Sequence, residues 1–354
     1  MPSVVAQKVM NEIRRAEHIL LLTDERLDGD TLGSTLGLAH VLRDLGKTVS
    51  VFSPRAVPAH FGFIPGIELV QTDAAIFAHP AVDLAIICDC SDGLYIQSLL
   101  PTMPRAVPLV MFDHHATNPS YGTINVLEPG AASTADVVWR FVKAARYPVS
   151  PHAAQCFLTG ICTDTSLFST SNTTVDALHA AVDLTKRGAK LPEIVRHTVA
   201  SRPIPMLHVW GLLFERLHHN TEFDALTTAL TLKDWEAFGK PDIETSNISN
   251  FLNETLDHAD TILILRETED GGGKGSLRSR GRDVAALAEK YGGGGHKLAA
   301  GFKVDNAHLE FSDGQWRLLR SSQSEVLSSS SHVINENDDI NFLHASPLAP
   351  NASA

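Results

Sequence analysis

The chain has little that would tie it to a membrane or lock it with disulfides. No apolar run approaches the ~18 residues that a membrane-spanning helix requires, and no basic stretch leads into an apolar one near the start. A cytoplasmic protein with no membrane partner is therefore expected. Cysteine is scarce: Cys88, Cys90, Cys156 and Cys162 lie in apolar contexts without paired zinc-type spacing, and they read as buried free thiols. Positive charge is short as well. The 29 lysines and arginines are outnumbered by 41 aspartates and glutamates, a net charge of −12, which argues against a broad basic surface gripping long nucleic acid. A short nucleotide substrate stays compatible with that balance, because clustered aspartates can hold divalent cations that reverse the local sign.

What is present is a globular composition, 44% hydrophobic and 20% charged over 354 residues. Single cores seldom grow past about 250–300 residues, so two domains are expected. In the first half, short apolar runs alternate with helical spacing, which predicts an α/β domain with a mostly parallel sheet and helices on both faces over residues 1–188. Residues 189–221 read as a helical linker interrupted by Pro203 and Pro205. A smaller α/β domain follows at 222–320, with residues 270–275 expected to be flexible and a helix near 248–258. Residues 321–354 are rich in Ser, Asn, Asp and Pro, and disorder is expected there.

Chemistry concentrates where the apolar runs stop. His18-Ile19-Leu20-Leu21-Leu22 runs into Asp24, Asp28 and Asp30; the run at 83–88 ends at Asp89; the next ends in Asp113-His114-His115; Asp164 closes a later helix. In open α/β sheets ligands gather at the carboxyl ends of strands. Oxygen-rich donors with an imidazole suit Mn²⁺ or Mg²⁺ better than structural zinc, and two such ions can drive displacement at phosphorus. Any one aspartate could instead cap a helix, as Asp30 could cap the helix that follows it, but capping does not require several strand ends to converge. Gly29 is expected to let the backbone turn tightly between Asp28 and Asp30, and Gly33 to permit close helix packing. Asp113, directly before His114, is expected to orient a ligand histidine.

The run Gly292-Gly293-Gly294-Gly295-His296 is costly in backbone entropy and so calls for a reason. Small residues bring backbone N–H groups close to an anion, with His296 adding a hydrogen bond or a stacking surface and Arg278 and Arg280 nearby in sequence. The alternative is a flexible loop with a solvated histidine.

Taken in order, Asp28-Gly29-Asp30, Asp89, Asp113-His114-His115 with Asn118, Ser133-Thr134, the stretch 160–165 and the glycine loop resemble the DHH phosphoesterases that carry a C-terminal DHHA1 domain, over about residues 1–320. Within that superfamily the layout is similar to the bifunctional oligoribonuclease and PAP phosphatase group. The resemblance implies hydrolysis of very short RNAs to mononucleotides and removal of the 3′-phosphate of 3′-phosphoadenosine 5′-phosphate (PAP). It implies two divalent cations, Mn²⁺ foremost with Mg²⁺ or Co²⁺ as substitutes, held by Asp24, Asp28, Asp30, Asp89, His114 and Asp164. It further implies that His115 and Asp113 serve catalysis, that Arg278, Gly293, Gly294, Gly295 and His296 hold substrate, and it leaves room for a homodimer. The chain departs from the family at two positions, with Asp24 where a histidine and Leu27 where often a proline stands. Two alternatives follow: hydrolysis of linear or cyclic dinucleotides, or a nucleotide-binding protein that has lost catalysis.

Overall fold

The computed structural model describes residues 3–99, 103, 106–200, 203–220, 224–240, 248, 249, 251–253, 256 and 260–320. The chain divides into two compact units, residues 1–201 and 202–354. The segment 321–354 lies outside the described residues, as do 250, 254, 255, 257 and 258 of the helix expected near 248–258, whose residues 248, 249 and 251–253 are helical.

The first unit begins with α1 (Ser3–Arg15) and is built on six strands, β1 (His18–Leu22), β2 (Thr48–Phe52), β3 (Val70–Gln71), β4 (Leu84–Cys88), β5 (Leu109–Asp113) and β6 (Ile124–Leu127), in the order β3-β2-β1-β4-β5-β6. Every pairing is parallel, so the sheet is more uniform than the mostly parallel one expected. The apolar runs are continuous because both faces are covered. Alternation sends Ile19 and Leu21 of β1, Ile86 of β4 and Phe112 of β5 into one core. Leu20, Leu22, Ile87 and Met111 enter the core on the opposite face. Each such side chain contributes roughly 1.5–3 kcal/mol on burial. The order reverses between β1 and β4, and the carboxyl ends at such a switch point open a crevice.

Helices α2 (Gly29–Asp44), α3 (Gly93–Leu99), α4 (Thr134–Ala145), α5 (Pro151–Asp164), α6 (Val175–Lys186) and α7 (Leu191–Val195) complete the unit. A Cβ on Gly33 would stand 2.6 Å from the Cys156 carbonyl oxygen and 2.7 Å from the Gly160 nitrogen, so the α2 and α5 backbones touch there. Gly33→Ala should cost about 1–3 kcal/mol, because backbone cannot yield as a flexible side chain can. The check is thermal unfolding, with a melting temperature lowered by roughly 2–10 °C.

All four cysteines are buried. Burial raises the Cys90 and Cys162 thiols to about 12 and pushes the Cys88 and Cys156 thiols up as well. Raising pKa by burial removes the reactive thiolate. Iodoacetamide at pH 8 should therefore leave the folded protein unlabelled and modify all four cysteines in denaturant, as mass spectrometry would count.

In the second unit α8 (Ile204–Glu215) leads into β7 (His218–Asn220), β8 (Ala225–Leu230), α9 (Leu232–Ala237), β9 (Thr261–Thr268), β10 (Gly272–Ser279), α10 (Ala285–Glu289), β11 (Gly294–His296), β12 (Ala299–Val304), β13 (Ala307–Ser312) and β14 (Gln315–Arg320). Helical residues 191–200 precede Pro203, and Pro203 and Pro205 start α8, with Pro203 at its N-cap, where a missing N–H costs nothing. Residues 272–275, expected to be flexible, belong to β10: Gly273 and Gly275 fit under Leu318 and the Phe302 ring, which a side chain would strike. The mixed sheet runs β11-β12-β10-β9-β8-β7. Among the described residues no helix is long and apolar enough to cross a membrane.

Candidate metal centre

The carboxyl ends of β1, β4 and β5 and the facing ends of α2, α4 and α5 carry the acidic and imidazole groups. Asp28 is the N-cap of α2, and its Oδ1 accepts from the Asp30 and Thr31 backbone N–H groups at 2.9 Å each. Capping therefore falls to Asp28, not to Asp30. Asp30 is freed to turn across to another helix, where its oxygens accept from the Thr134 N–H at 2.6 Å and the Ala135 N–H at 2.8 Å. Both lie in the first turn of α4, where unpaired N–H groups favour an anion. Gly29 is the first residue of α2, with no tight turn around it. The room it leaves is taken by Thr163, whose Oγ1 would lie 2.4 Å from an added Cβ.

Asp89 follows β4 with φ 62, a left-handed conformation that aspartate tolerates better than most residues and that clusters at functional sites. Its carboxylate accepts from Thr31 Oγ1 at 2.6 Å and Thr134 Oγ1 at 2.9 Å. Ser166, Leu167 and Phe168, just after Asp164, also have positive φ, which costs of order 1–2 kcal/mol per residue. The turn is held by Leu167 N–H donating to the Cys162 carbonyl at 2.7 Å and Phe168 N–H donating to Thr165 Oγ1 at 3.1 Å. Asn172 then ties Asp164 to the α4 approach, donating to the Asp164 carbonyl and the Ala132 carbonyl, each at 3.1 Å.

Asp113 is fully buried and belongs to His115 rather than to His114. Its Oδ1 meets His115 Nδ1 at 2.8 Å and accepts from the His114 and His115 backbone N–H groups, while Oδ2 accepts from Asn118 Nδ2 at 2.6 Å. Burial alone would raise the Asp113 carboxyl, but the hydrogen bonds from His115 and Asn118 hold it low. The same bond to Asp113 raises the His115 imidazole to about 9. Burial instead lowers His114, which stays neutral and able to ligate.

Two groups of donors result, with ligand atoms within 4.8 Å of one another: Asp89, His114 and His115, and Asp30, His114 and Asp164. Burial, and then the charges of neighbouring aspartates, push Asp30 well up and raise Asp89 and Asp164 to about 7. Converging buried carboxylates that repel one another are the environment a divalent cation relieves, and Asp/His donors fit Mn²⁺ or Mg²⁺. Asp24 stands outside both groups: its Oδ1 accepts from the Glu25 and Arg26 backbone N–H groups, and burial raises its pKa. Asp28 also stands outside them, although it lies close enough to act on Asp30, Asp89 and Asp164 through its charge.

Nothing in the sequence assigns Thr31 or Asn172 to the site, and Thr134 stands out there only as part of the Ser133-Thr134 motif, without a partner. Only the Ser133-Thr134 helix start gave a signal, since threonine in a first turn can reach across to a neighbouring strand end. Thr134→Val should raise the divalent-cation concentration needed for half-maximal binding about 10–100-fold, the usual cost of losing a group that orients a ligand, as metal titration would show.

In the second unit the glycines serve different ends. A Cβ on Gly293 would stand 2.1 Å from the Gly301 carbonyl oxygen, and Gly295 has φ 144, so both are fixed by the backbone itself. A Cβ on Gly294 would meet nothing within 4 Å. Gly294–His296 form an edge strand paired with β12, more ordered than the loop expected. Arg278 lies on β10 with its side chain half-buried, donating to its neighbour's carbonyl, Leu277 O, at 2.9 Å.

Residues 18–161 match the DHH family N-terminal domain, and residues 228–314 the DHHA1 domain. The bifunctional oligoribonuclease and PAP phosphatase NrnA of Thermus thermophilus is 29% identical over 314 residues, 87% of this chain and 90% of that protein. The protein of the same name from Bacillus subtilis is 24% identical over 300 residues, 84% and 92% of the two chains. Among solved structures, an exopolyphosphatase-related protein from Bacteroides fragilis has the same fold, with a TM-score of 0.78 at 23% identity over 84% of this chain and 90% of that one.

Proposed function

Because the chain belongs to the DHH phosphoesterase family, its DHH domain followed by a DHHA1 domain, we propose that it is a cytoplasmic, Mn²⁺-dependent hydrolase of short oligoribonucleotides that also dephosphorylates PAP. The observation that carries this reading is the convergence of Asp30, Asp89, His114 and Asp164, with His115 beside them, at the switch point of a parallel sheet. The names of the relatives from Thermus thermophilus and Bacillus subtilis support the substrate class.

Asp30, Asp89, His114 and Asp164 would hold the cations, with Asp28 turning its second oxygen to them. Bound there, divalent cations supply a water of lowered pKa and neutralise charge building on the phosphoryl oxygens. The chain's own groups do the rest. Thr31 and Thr134 fix the rotamer of Asp89, and the α4 N–H groups fix Asp30. His115, with its Nδ1 held by Asp113, would serve as a hydrogen-bond donor to a phosphoryl oxygen rather than as a ligand. Asp113 keeps that ring oriented and charged. Arg278 and residues 293–296 would hold the nucleotide portion through charge and close backbone approach. The test is release of mononucleotides from a labelled RNA dinucleotide, run beside PAP, with Mn²⁺ and after chelation. Metal-dependent turnover of both is expected; no turnover of either with Mn²⁺, Mg²⁺ or Co²⁺ would favour a binding protein.

A further inference from the structure

Strand register in the second unit sets one face of the mixed sheet out in rows. Arg278 pairs with Ala299 of β12 and Ile262 of β9; Ser276 pairs with Gly301 and Ile264; Lys274 pairs with Lys303 and Arg266. The last row therefore places three cations side by side in a protein whose net charge is −12. Lys303 is neutralised by Asp270 and Asp305. Arg266 and Lys274 are different: among the described residues no carboxylate pairs with either, and Arg266 Nε is buried without a hydrogen-bond partner. Nearby acids are turned elsewhere. Glu267 accepts from the Leu232 and Leu309 backbone N–H groups, and Glu269 pairs with Lys240. Burial and the charges of Arg266 and Arg278 lower the Lys274 pKa, so the pair is held together against its own repulsion.

We propose that Arg266 and Lys274 form a phosphate-binding row that takes a backbone phosphate of an oligonucleotide beyond the nucleotide held at Arg278. The inference rests on the hydrolase reading above for its substrate. Lys274 and Arg278 stand four residues apart on one strand, about 13 Å between their Cα atoms, a separation on the scale of successive nucleotides. Ser276 and Gly301, with Gly294 beyond, are the small residues that stand between them on β10, β12 and β11. PAP, with a single nucleoside, has no phosphate to offer the far row, so this row selects for chain length.

The test compares Lys274→Ala and Arg266→Ala with the parent in kcat/KM for an RNA pentamer and for PAP, beside metal-free binding of a fluorescein-labelled pentamer by anisotropy. The pentamer-to-PAP ratio should fall about tenfold in each variant, the size of one lost charge-assisted contact. Pentamer binding should weaken to match, and its logarithmic salt dependence should flatten by about 0.7 per cation removed. An unchanged ratio with unchanged pentamer binding would overturn the inference while leaving the hydrolase reading in place. Absence of turnover in the parent with pentamer binding still weakened in the variants would overturn the hydrolase reading and keep the phosphate row.

Discussion

Asp89→Ala should reduce hydrolysis of both an RNA dinucleotide and PAP by about 10³-fold or more. Removing a group that merely orients a metal ligand costs about 10–100-fold, and Asp89 is placed to do more, as a donor that can serve two ions. Its carboxylate is 6% exposed, fixed by hydroxyls of Thr31 and Thr134, and carried on a left-handed backbone that presents it at the end of β4. The loss need not come from unfolding. Deleting the carboxylate strands two hydroxyls, at roughly 1–3 kcal/mol each, but it also removes a charge that repels Asp30. Asp89→Asn keeps an acceptor for one threonine, offers an NH2 donor that the other threonine hydroxyl can accept from, and cancels the charge. It should therefore melt close to the parent yet lose most of the activity, and circular dichroism melts beside the assay would separate the two effects.

Asp113→Asn and His115→Ala should each lower kcat about 10²-fold or more with little change in KM, and the double variant should be scarcely worse than His115→Ala alone. The two side chains act as one unit: the 2.8 Å contact between Asp113 Oδ1 and His115 Nδ1 is what raises the imidazole to about 9. Without the Asp113 charge the ring loses both its orientation and its proton. A double-mutant cycle in kcat would show the coupling, whereas independent roles would give additive losses. Asparagine is the better probe than alanine, because Asp113 is wholly buried and also takes hydrogen bonds from Asn118 and two backbone N–H groups.

Which strands exist, and which residues end them, could be read from the chain because parallel strands buried on both faces are continuous apolar runs. His18–Leu22, Leu84–Cys88 and Leu109–Asp113 are such runs, and each stops close to an acidic residue. Tertiary partnerships could not be read. Nothing local says that Asp30 reaches the first turn of α4 while Asp28 caps α2, or that Asp113 serves the second histidine and not the first. The Asp30 contact depends on where α4 packs beside α2, which is a property of the folded structure. The threonines' partner was hidden for the same reason: Thr31 and Thr134 meet at Asp89 from helices about a hundred residues apart in the chain. Asp24, which sequence alone groups with the other aspartates, spends an oxygen on the backbone of its own turn.

The proposed hydrolysis requires the Asp/His cluster to hold a pair of divalent cations. Titration of metal-free protein with Mn²⁺, followed by calorimetry and by counting bound metal after dialysis, tests it most directly. The account predicts about two Mn²⁺ per chain, a melting temperature that rises on binding because the cations relieve repulsion among Asp30, Asp89 and Asp164, and loss of at least one site in Asp89→Asn. Binding of no Mn²⁺, or binding that Asp89→Asn leaves unchanged, would contradict it.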